Sequence, residues 1–327
     1  MGILKRFGID GYMMLLIGMV VLGAVVPAQG MAAVVLGYVT MGAIALLFFL
    51  YGVRMNAAEV MAGLTNWRLQ SLSFGITFVM FPIFGIGVAW AARPLIGDEL
   101  ALGLLFLSVL PSTINSSIAL TGMAGGNVSG AICSATLSNL LGVFLTPALA
   151  AVLLHSGGGG ASGDAVLKIA LQILLPFVLG QCLRRWLSDF VRRRKMLTTV
   201  VDRGAILLIV YAAFSAGTTA GLWRLIPPVT LGTLIAVVLV FLALGMVAVR
   251  LIGRISGMNR PDRTALFFCG STKSLASGLP IAAALFAPDM IGLMILPVMI
   301  FHMSQLLVCA VIAQRAAAPE AAAQVAS

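Results

Sequence analysis

Two apolar segments of this 327-residue chain contain clusters of polar side chains that could bind an ion or a small solute. The first segment reads LPSTINSSIAL over residues 110–120, and the second reads CGSTKSLASGLP over residues 269–280. Each cluster adjoins a proline or a glycine, and irregular backbone in an apolar environment needs polar partners or a cavity. The candidate site residues are Thr113, Asn115, Ser116 and Ser117 in the first segment, and Ser271, Thr272, Lys273 and Ser274 in the second.

Lys273 is the most unusual of these candidates because its surroundings in the sequence are apolar and offer no counter-charge. All ten acidic residues fall in loops, at the ends of apolar runs or in the tails. A lysine at the centre of a membrane helix costs roughly 2.5–3.5 kcal/mol on insertion scales and is a functional hypothesis by default. The alternative is a lysine whose long side chain reaches the membrane surface.

Four further residues are weaker candidates for the lining of the same site. Ser134 and Ser138 follow Gly130 at intervals of four residues and form one small polar stripe, which is also typical of a close-packing seam between helices. His302 and Gln305 lie near one face of the last apolar run. The histidine could carry protons, or it could be a buried side chain with satisfied hydrogen bonds.

The composition is that of an integral membrane protein. Hydrophobic residues make up 61% of the chain and charged residues 9%, against about 25% charged residues in soluble domains. A membrane helix needs about 20 apolar residues, so about ten spans would use the apolar residues and leave little for an extramembrane domain. The four cysteines lie in apolar runs and the two histidines are far apart in sequence, so we expect no disulfide, metal cluster or cofactor.

Ten membrane spans are predicted from the apolar runs between charged or Gly/Pro-rich breaks. They cover residues 11–29, 32–53, 70–92, 100–124, 128–154, 165–183, 204–222, 227–252, 264–287 and 290–313. We expect an all-α polytopic protein with a first five-helix repeat at 1–154, an external Gly-rich linker at 155–164, a second repeat at 165–315 and a disordered tail at 316–327. Lys5 and Arg6 resemble the start of a signal peptide, but a retained first helix keeps the number of spans even.

The basic residues distribute unevenly over the predicted loops. Sixteen of the twenty lie on one side and three on the other, while Lys273 lies within a span. Lysine and arginine collect on the cytoplasmic side, so we expect both termini in the cytoplasm of a multi-pass protein of the plasma membrane, the inner membrane in a bacterium. This pattern explains the net charge of +10 without nucleic acid. The basic segment Arg184–Arg203 is either a solvated loop or an in-plane helix on anionic lipids.

The two polar clusters occupy equivalent places in the two halves of the chain. Each lies in the fourth span of a five-span half, and an odd number of spans places the halves in opposite orientations. Paired interrupted segments in inverted halves point to the binding site of a secondary transporter. The alternative is two ordinary proline-kinked helices packed through small residues.

At these interrupted segments the chain resembles the bile acid:sodium symporter family, and in particular its SBF-like branch of sodium-dependent transporters. The resembling stretches are LPSTINSSIALTGMAGGN (110–127), LTP (145–147), PDRTALFFCGSTKSLASGLPIA (261–282) and FHMSQ (301–305). The resemblance implies a core of spans 3–5 and 8–10, in which the broken spans 4 and 9 cross, and a panel of spans 1, 2, 6 and 7. Substrate would bind in the cleft between core and panel, and relative movement of the two would give alternating access.

The resemblance also implies positions for bound sodium, and most of its ligands are replaced here. The fourth-span positions fall on Ser116 and Ser117, and a third-span glutamine position falls on Thr77, which joins the possible lining residues. The positions of the family's ninth-span glutamate and glutamine and of two fifth-span hydroxyls fall on Phe268, Thr272, Ala131 and Ala135. Sodium or a proton could couple transport, and the replaced ligands favour a proton and Lys273.

These features together predict a secondary active transporter of a small organic solute, such as an organic anion or a bile-acid-like amphipath. The N-termini of the half-helices and Lys273 both favour negative charge at the crossover. Lys273 could release and rebind a proton during transport, or it could stay charged and pair with an anionic substrate. The alternative function is a non-transporting membrane receptor or regulatory protein that retains the transporter fold. An enzyme is not expected, because no catalytic Ser/His/Asp set or His-Glu metal motif is evident.

Overall fold

The computed structural model describes residues 11–54, 66–155, 163–221 and 226–325. All regular secondary structure in these ranges is helical. In chain order the helices are α1 (Gly11–Val25), α2 (Met31–Arg54), α3 (Trp67–Gly75), α4 (Phe81–Ile96), α5 (Asp98–Ser108), α6 (Asn115–Met123), α7 (Val128–His155), α8 (Gly163–Arg193), α9 (Lys195–Thr219), α10 (Pro228–Ile255), α11 (Arg260–Ser271), α12 (Leu275–Leu285) and α13 (Pro288–Val325). A π-helical turn, Ile76–Met80, joins α3 to α4 in one continuous rod.

Each predicted span coincides with a helix or with a pair of half-helices. Within the described residues, six helical rods are long and apolar enough to cross a membrane by themselves. They are Met31–Arg54, Trp67–Ile96, Val128–Leu153, Thr198–Thr219, Pro228–Ile255 and Pro288–Ala316. The fourth and ninth predicted spans are each divided into two half-helices, none longer than 12 residues.

The basic segment 184–203 differs from both structures that the sequence suggested. It is neither a loop nor a separate in-plane helix, because α8 continues to Arg193 and α9 begins at Lys195. Residues 181–203 contain no glycine or proline that would end a helix early. With 31 residues, α8 is about 46 Å long, which exceeds the roughly 30 Å of bilayer hydrocarbon.

The C-terminal end also differs from the expected disordered tail at 316–327. Helix α13 continues to Val325, and alanine, the strongest helix former, makes up most of residues 316–323. The predicted Gly157–Gly160 linker and the N-terminal Lys5 and Arg6 lie outside the described residues.

Four helices, α1, α2, α8 and α9, pack against one another. The closest crossing joins α2 to α8, where glycines allow backbone to meet backbone. A Cβ atom on Gly52 would lie 2.0 Å from the Phe177 carbonyl oxygen, and one on Gly180 would lie 2.1 Å from the Phe49 carbonyl oxygen. Small residues at such crossings are the usual way in which membrane helices approach closely.

The remaining helices pack around the two broken segments. Helix α5 lies between α4 and α13, and α10 contacts α4, α11 and α13. Three buried rings tie α4, α10 and α13 together: the Phe81 and Phe241 centroids are 5.7 Å apart, and those of Phe241 and Phe301 are 5.9 Å apart. Helix α9 packs along α13 and so joins the two groups of helices.

Candidate ion and solute site at the crossing of two broken helices

The two interruptions meet directly. Helix α5 ends at Ser108 and α6 begins at Asn115, while α11 ends at Ser271 and α12 begins at Leu275. The Ser274 N–H donates to the Pro111 carbonyl oxygen at 2.8 Å, so the two breaks are joined through their backbones. Proline cannot donate to a helix ladder, and Ser274 caps α12 by accepting from the Ser277 N–H at 3.1 Å. Both breaks therefore follow from their local sequence.

Three buried hydroxyl groups connect the breaks further. The Ser112 hydroxyl donates to the Cys269 carbonyl oxygen at 2.5 Å. The Thr113 and Thr272 hydroxyl oxygens lie 3.0 Å apart, and Thr272 also donates to the Phe268 carbonyl oxygen at 2.8 Å. Ser112 lay in the predicted polar run but was not among the candidates, and it is one of the residues that hold the crossing together.

Lys273 lies at the centre of the crossing with 1% of its surface exposed. Its Nζ donates to the carbonyl oxygens of Thr77 at 3.0 Å, Ser108 at 3.0 Å and Leu110 at 2.8 Å. An ammonium group has three donors, so each finds an acceptor. The Phe81 ring centroid lies 4.3 Å from Nζ, at a distance typical of a cation–π contact. Neither ion pair that the structure describes involves Lys273.

The carbonyl oxygens around the Lys273 ammonium come from places where helices are irregular. Ser108 and Leu110 lie at the C-terminal end of α5, where the last carbonyl groups of a helix have no intrahelical partner and the helix dipole is negative. Thr77 lies in the π-helical turn, a local irregularity that is frequent at functional sites. The irregular backbone thus supplies the negative potential that a carboxylate would otherwise supply.

Helix α13 holds the Lys273 backbone on its other side. The Gln305 amide accepts from the Lys273 N–H at 2.7 Å and donates to the Lys273 carbonyl oxygen at 2.8 Å. The His302 Nδ1 atom lies 3.2 Å from the same carbonyl oxygen and 2.9 Å from the Gln305 amide nitrogen. The predicted lining residues His302 and Gln305 therefore contact the interruption between α11 and α12. The spacing of these residues in the sequence could not show this contact.

Side chains of helix α7 form hydrogen bonds with the backbone groups that the break between α5 and α6 leaves without helical partners. The Ser112 N–H donates to the Ser138 hydroxyl at 3.0 Å, and the Ser112 carbonyl accepts from the Asn139 amide at 2.7 Å. The Ser277 hydroxyl donates to the side-chain carbonyl oxygen of Asn139 at 2.5 Å, so Asn139 bridges the two broken helices. Ser134 instead bonds to Gln70 at 2.9 Å, in the contact between α3 and α7. Asn139 was missed, although it follows Ser138 in the sequence.

A cavity of about 920 Å³ opens beside the crossing. Its lining contains the predicted site residues Thr113, Asn115, Ser116, Ser274 and His302, together with Asn139 and Ser277. It also contains Tyr12, Arg54, Asp202 and Arg203, and most of the other lining side chains are apolar. The Arg54 guanidinium donates to the Asp202 carboxylate at 2.6 Å, and the Arg203 guanidinium lies 5.0 Å from the Tyr12 ring centroid.

The other predicted residues lie behind the cavity wall. Ser117 is buried and donates to the carbonyl oxygens of Thr113 and Ile114 on its own segment. Ser271 likewise bonds within its helix, to the Phe267 carbonyl oxygen at 2.6 Å. Thr272, Lys273 and Gln305 do not line the cavity either.

Few side-chain oxygen atoms lie at the positions that match the sodium ligands of the bile acid:sodium symporter family. Phe268, Ala131 and Ala135 are buried and apolar, and the buried Thr77 hydroxyl has no hydrogen-bond partner. In the part of the chain that the structure describes, no group of three or more His, Cys, Asp or Glu side chains could hold a metal ion. Hard cations usually take six or more oxygen ligands, and the side-chain oxygens at these positions are the four hydroxyls of Thr77, Ser116, Ser117 and Thr272.

Comparison with known proteins gives this geometry its context. The chain is 48% identical over 311 residues to uncharacterized protein PA2026 of Pseudomonas aeruginosa, covering 95% of this chain and 93% of that protein. It is 43% identical over 313 residues to "Putative symporter YfeH" of Escherichia coli, covering 95% of this chain and 94% of that protein. It is 27% identical over 280 residues to the rat sodium/bile acid cotransporter 7, covering 83% and 80%. The sequence model of the SBF-like CPA transporter family matches residues 10–318, and the chain belongs to that family.

Proposed function

We propose that this protein is an alternating-access transporter of a small organic anion or amphipath, in which the ammonium of Lys273 takes the place of a coupling sodium ion. The fold would consist of two inverted five-helix repeats. Helices α1, α2, α8 and α9 would form a panel, and the other helices would form a core around the crossing. Membership in a transporter family supports transport rather than catalysis.

The charge and shape of the cavity support an amphipathic anion as substrate. The lining includes two guanidinium groups, of Arg54 and Arg203, and one carboxylate, of Asp202. The ion pair of Arg54 with Asp202 leaves a net positive charge on the lining, and most of the other lining side chains are apolar. A bile-acid-like compound has this combination of properties, and a relative carries bile acid in its name.

The surroundings of Lys273 are the observation that carries the proposal. Its Nζ is bound by three carbonyl oxygens, an arrangement of hard oxygen ligands that would also suit a small cation. Because Lys273 does not line the cavity, its ammonium does not pair with a substrate bound there in this conformation. An amino group held at the crossing by the chain itself therefore supports sodium-independent transport, in which Lys273 releases and rebinds the coupling proton.

The direction of the cavity fits an inward-facing conformation. Its lining includes Arg54 and Arg203, which belong to the predicted cytoplasmic set of basic residues. With both termini in the cytoplasm, the cavity would open toward the cytoplasm of a cell whose plasma membrane holds the protein.

Uptake into proteoliposomes tests this proposal. A thermal-unfolding screen of the purified protein with organic anions, including a conjugated bile acid, identifies a ligand, because binding to the folded state raises apparent stability. Uptake of that ligand is then measured under a sodium gradient, a proton gradient or neither. We expect a proton gradient to drive accumulation and sodium to have no effect. Sodium-driven uptake would overturn the role of Lys273, and binding without any uptake would favour a receptor.

A further inference from the structure

The guanidinium group of Arg203 lies at the cavity beside the crossing and donates no hydrogen bond to the described part of the chain. Arg203 is exposed on α9 and lines the cavity. The contact that the structure describes for its charged group is with the Tyr12 ring of α1, whose centroid lies 5.0 Å from the guanidinium carbon. That contact positions the group, but it gives none of the five N–H donors an oxygen acceptor. The donors therefore remain available to a ligand.

The second arginine of the cavity is already held in an ion pair. The Arg54 Nη1 atom donates to an Asp202 carboxylate oxygen at 2.6 Å, across the contact between α2 and α9. Asp202 is the only acidic residue among the described residues that line the cavity. One carboxylate thus offsets one guanidinium, and the charge of Arg203 has no second carboxylate on the described lining.

Apolar side chains adjoin Arg203 and Tyr12 on the same helix faces. Ile206 follows Arg203 by three residues on α9, and Leu16 follows Tyr12 by four residues on α1, so each pair shares one face of its helix. Leu16 and Ile206 also line the cavity, and α1 packs against α9. A ligand whose charged group reaches Arg203 would therefore place its apolar body against these side chains.

We propose that Arg203 determines the substrate specificity of this cavity by binding the anionic group, a carboxylate or a sulfonate, of an amphipathic substrate. The planar guanidinium matches such groups through paired N–H donors. Tyr12 positions the guanidinium, and Asp202 neutralises Arg54, so Arg203 rather than Arg54 receives the anion. This inference rests on the proposed function, because it assigns a role within the same cavity, and it does not depend on the coupling ion.

Equilibrium binding to the purified full chain in detergent tests the role of Arg203. The two probes are taurocholate and an uncharged analogue in which a hydroxyl group replaces the sulfonate. We expect the wild type to bind taurocholate more tightly than the analogue. In Arg203→Gln the affinity for taurocholate should fall roughly tenfold, because a charge-assisted hydrogen bond is lost, while the affinity for the analogue stays unchanged. Arg203→Lys keeps the charge without the planar fork and should retain part of the preference for taurocholate.

The matched control is Arg185→Gln, which removes the same charge from an exposed position of α8 outside the cavity lining. It should bind both probes as the wild type does, and all three variants should unfold near the wild-type temperature.

Four results would overturn the role of Arg203 while leaving the proposed function in place. These are equal binding of the two probes by the wild type, wild-type affinity of Arg203→Gln for taurocholate, an equal loss of affinity for both probes in Arg203→Gln, and the same loss in Arg185→Gln. The third result is the one that a purely structural role of Arg203 would give. A wild type that binds neither probe would instead overturn the bile-acid-like substrate of the proposed function, and this inference with it.

Discussion

At the scale of single residues, main-chain carbonyl oxygens bind the Lys273 amino group, whereas a carboxylate binds the lysine in most buried ion pairs. Three carbonyl oxygens and an aromatic ring surround the Lys273 ammonium, and Gln305 holds its backbone in place. An isolated buried charge is costly, but each of these contacts offsets part of the desolvation penalty. The crossing is therefore organised around the Lys273 amino group, which the chain itself provides.

Replacing Lys273 with alanine should abolish uptake of the ligand found in the screen. The substitution removes the amino group and leaves the three carbonyl oxygens at the crossing without their donor. The control is Ser271→Ala, two residues away, because the Ser271 hydroxyl donates to the Phe267 carbonyl oxygen and does not contact the Lys273 Nζ atom, and its loss should cost about 1 kcal/mol. Uptake and thermal unfolding are measured for both variants. Wild-type uptake by Lys273→Ala would show that the ammonium has no part in transport.

Ser116 and Ser117 are neighbours in the sequence, yet the structure predicts different effects for their replacement. Ser116 lines the cavity, so Ser116→Ala should weaken ligand binding and change the unfolding free energy by less than about 0.5 kcal/mol. Ser117 is fully buried and bonds to the interrupted backbone, so Ser117→Ala should lower stability by about 1 kcal/mol. Ligand titrations and denaturation curves separate the two effects. Identical behaviour of both variants would contradict this assignment.

At the scale of elements, the broken helices depend on their neighbours. Helix α7 approaches the first break closely, since a Cβ atom on Gly142 would lie 2.9 Å from the Pro111 Cβ atom. From this position Ser138 and Asn139 reach the free backbone groups of Ser112. The half-helices are too short to be stable alone. Polar side chains on an adjacent, continuous helix form the hydrogen bonds that their free backbone groups need.

The crossing of α2 with α8 gives an element-scale prediction. A methyl group on Gly180 would clash with the Phe49 carbonyl oxygen at 2.1 Å, so Gly180→Ala must push the two helices apart. We expect a loss of about 1–3 kcal/mol, as for overpacked interiors. Gly42→Ala on α2 is the matched control, because its new methyl group would meet no atom within 4 Å and alanine favours helix by up to about 1 kcal/mol. Thermal unfolding in detergent compares them, and equal stability of the two variants would argue against this packing.

At the scale of the whole molecule, the distribution of basic residues predicts an orientation in the membrane. The lining of the cavity beside the crossing includes Arg54 and Arg203, two residues of the predicted cytoplasmic set. The opposite set of loops includes Arg93, which pairs with Asp98. Such asymmetry is the strongest sequence signal for topology.

A cysteine placed at Gly159 should react with an impermeant thiol reagent applied to intact cells, because the linker at 155–164 is predicted to be external. Native Cys133 and Cys182, which are partly or fully exposed, are first replaced by serine. A cysteine placed at Arg193, an exposed position of the basic segment, is the opposite-side control and should react only after the membrane is opened. The reverse pattern of labelling would invert the proposed topology.

Much of the fold could be predicted because membrane helices leave strong local signals. Apolar runs of about 20 residues predicted every helical segment in the described residues, and polar clusters beside Pro111 and Gly270 predicted both breaks. The predicted ends of two helices were wrong: one at the basic segment after residue 184 and the other at the C-terminal tail. In both cases a helix continues past the apolar run, because charged and alanine-rich sequences are also good helix formers.

The sequence by itself determined that this is a helical membrane protein with two interrupted helices and one lysine without a carboxylate, because hydropathy, proline and charge act locally. Only the tertiary structure decided which atoms surround that lysine. The carbonyl oxygens of Thr77, Ser108 and Leu110 carry no side-chain signal, and they meet the Lys273 amino group only when the π-helical turn, α5 and α11 pack together. The same packing separates Ser116 from Ser117, because adjacent residues on a helix face different neighbours.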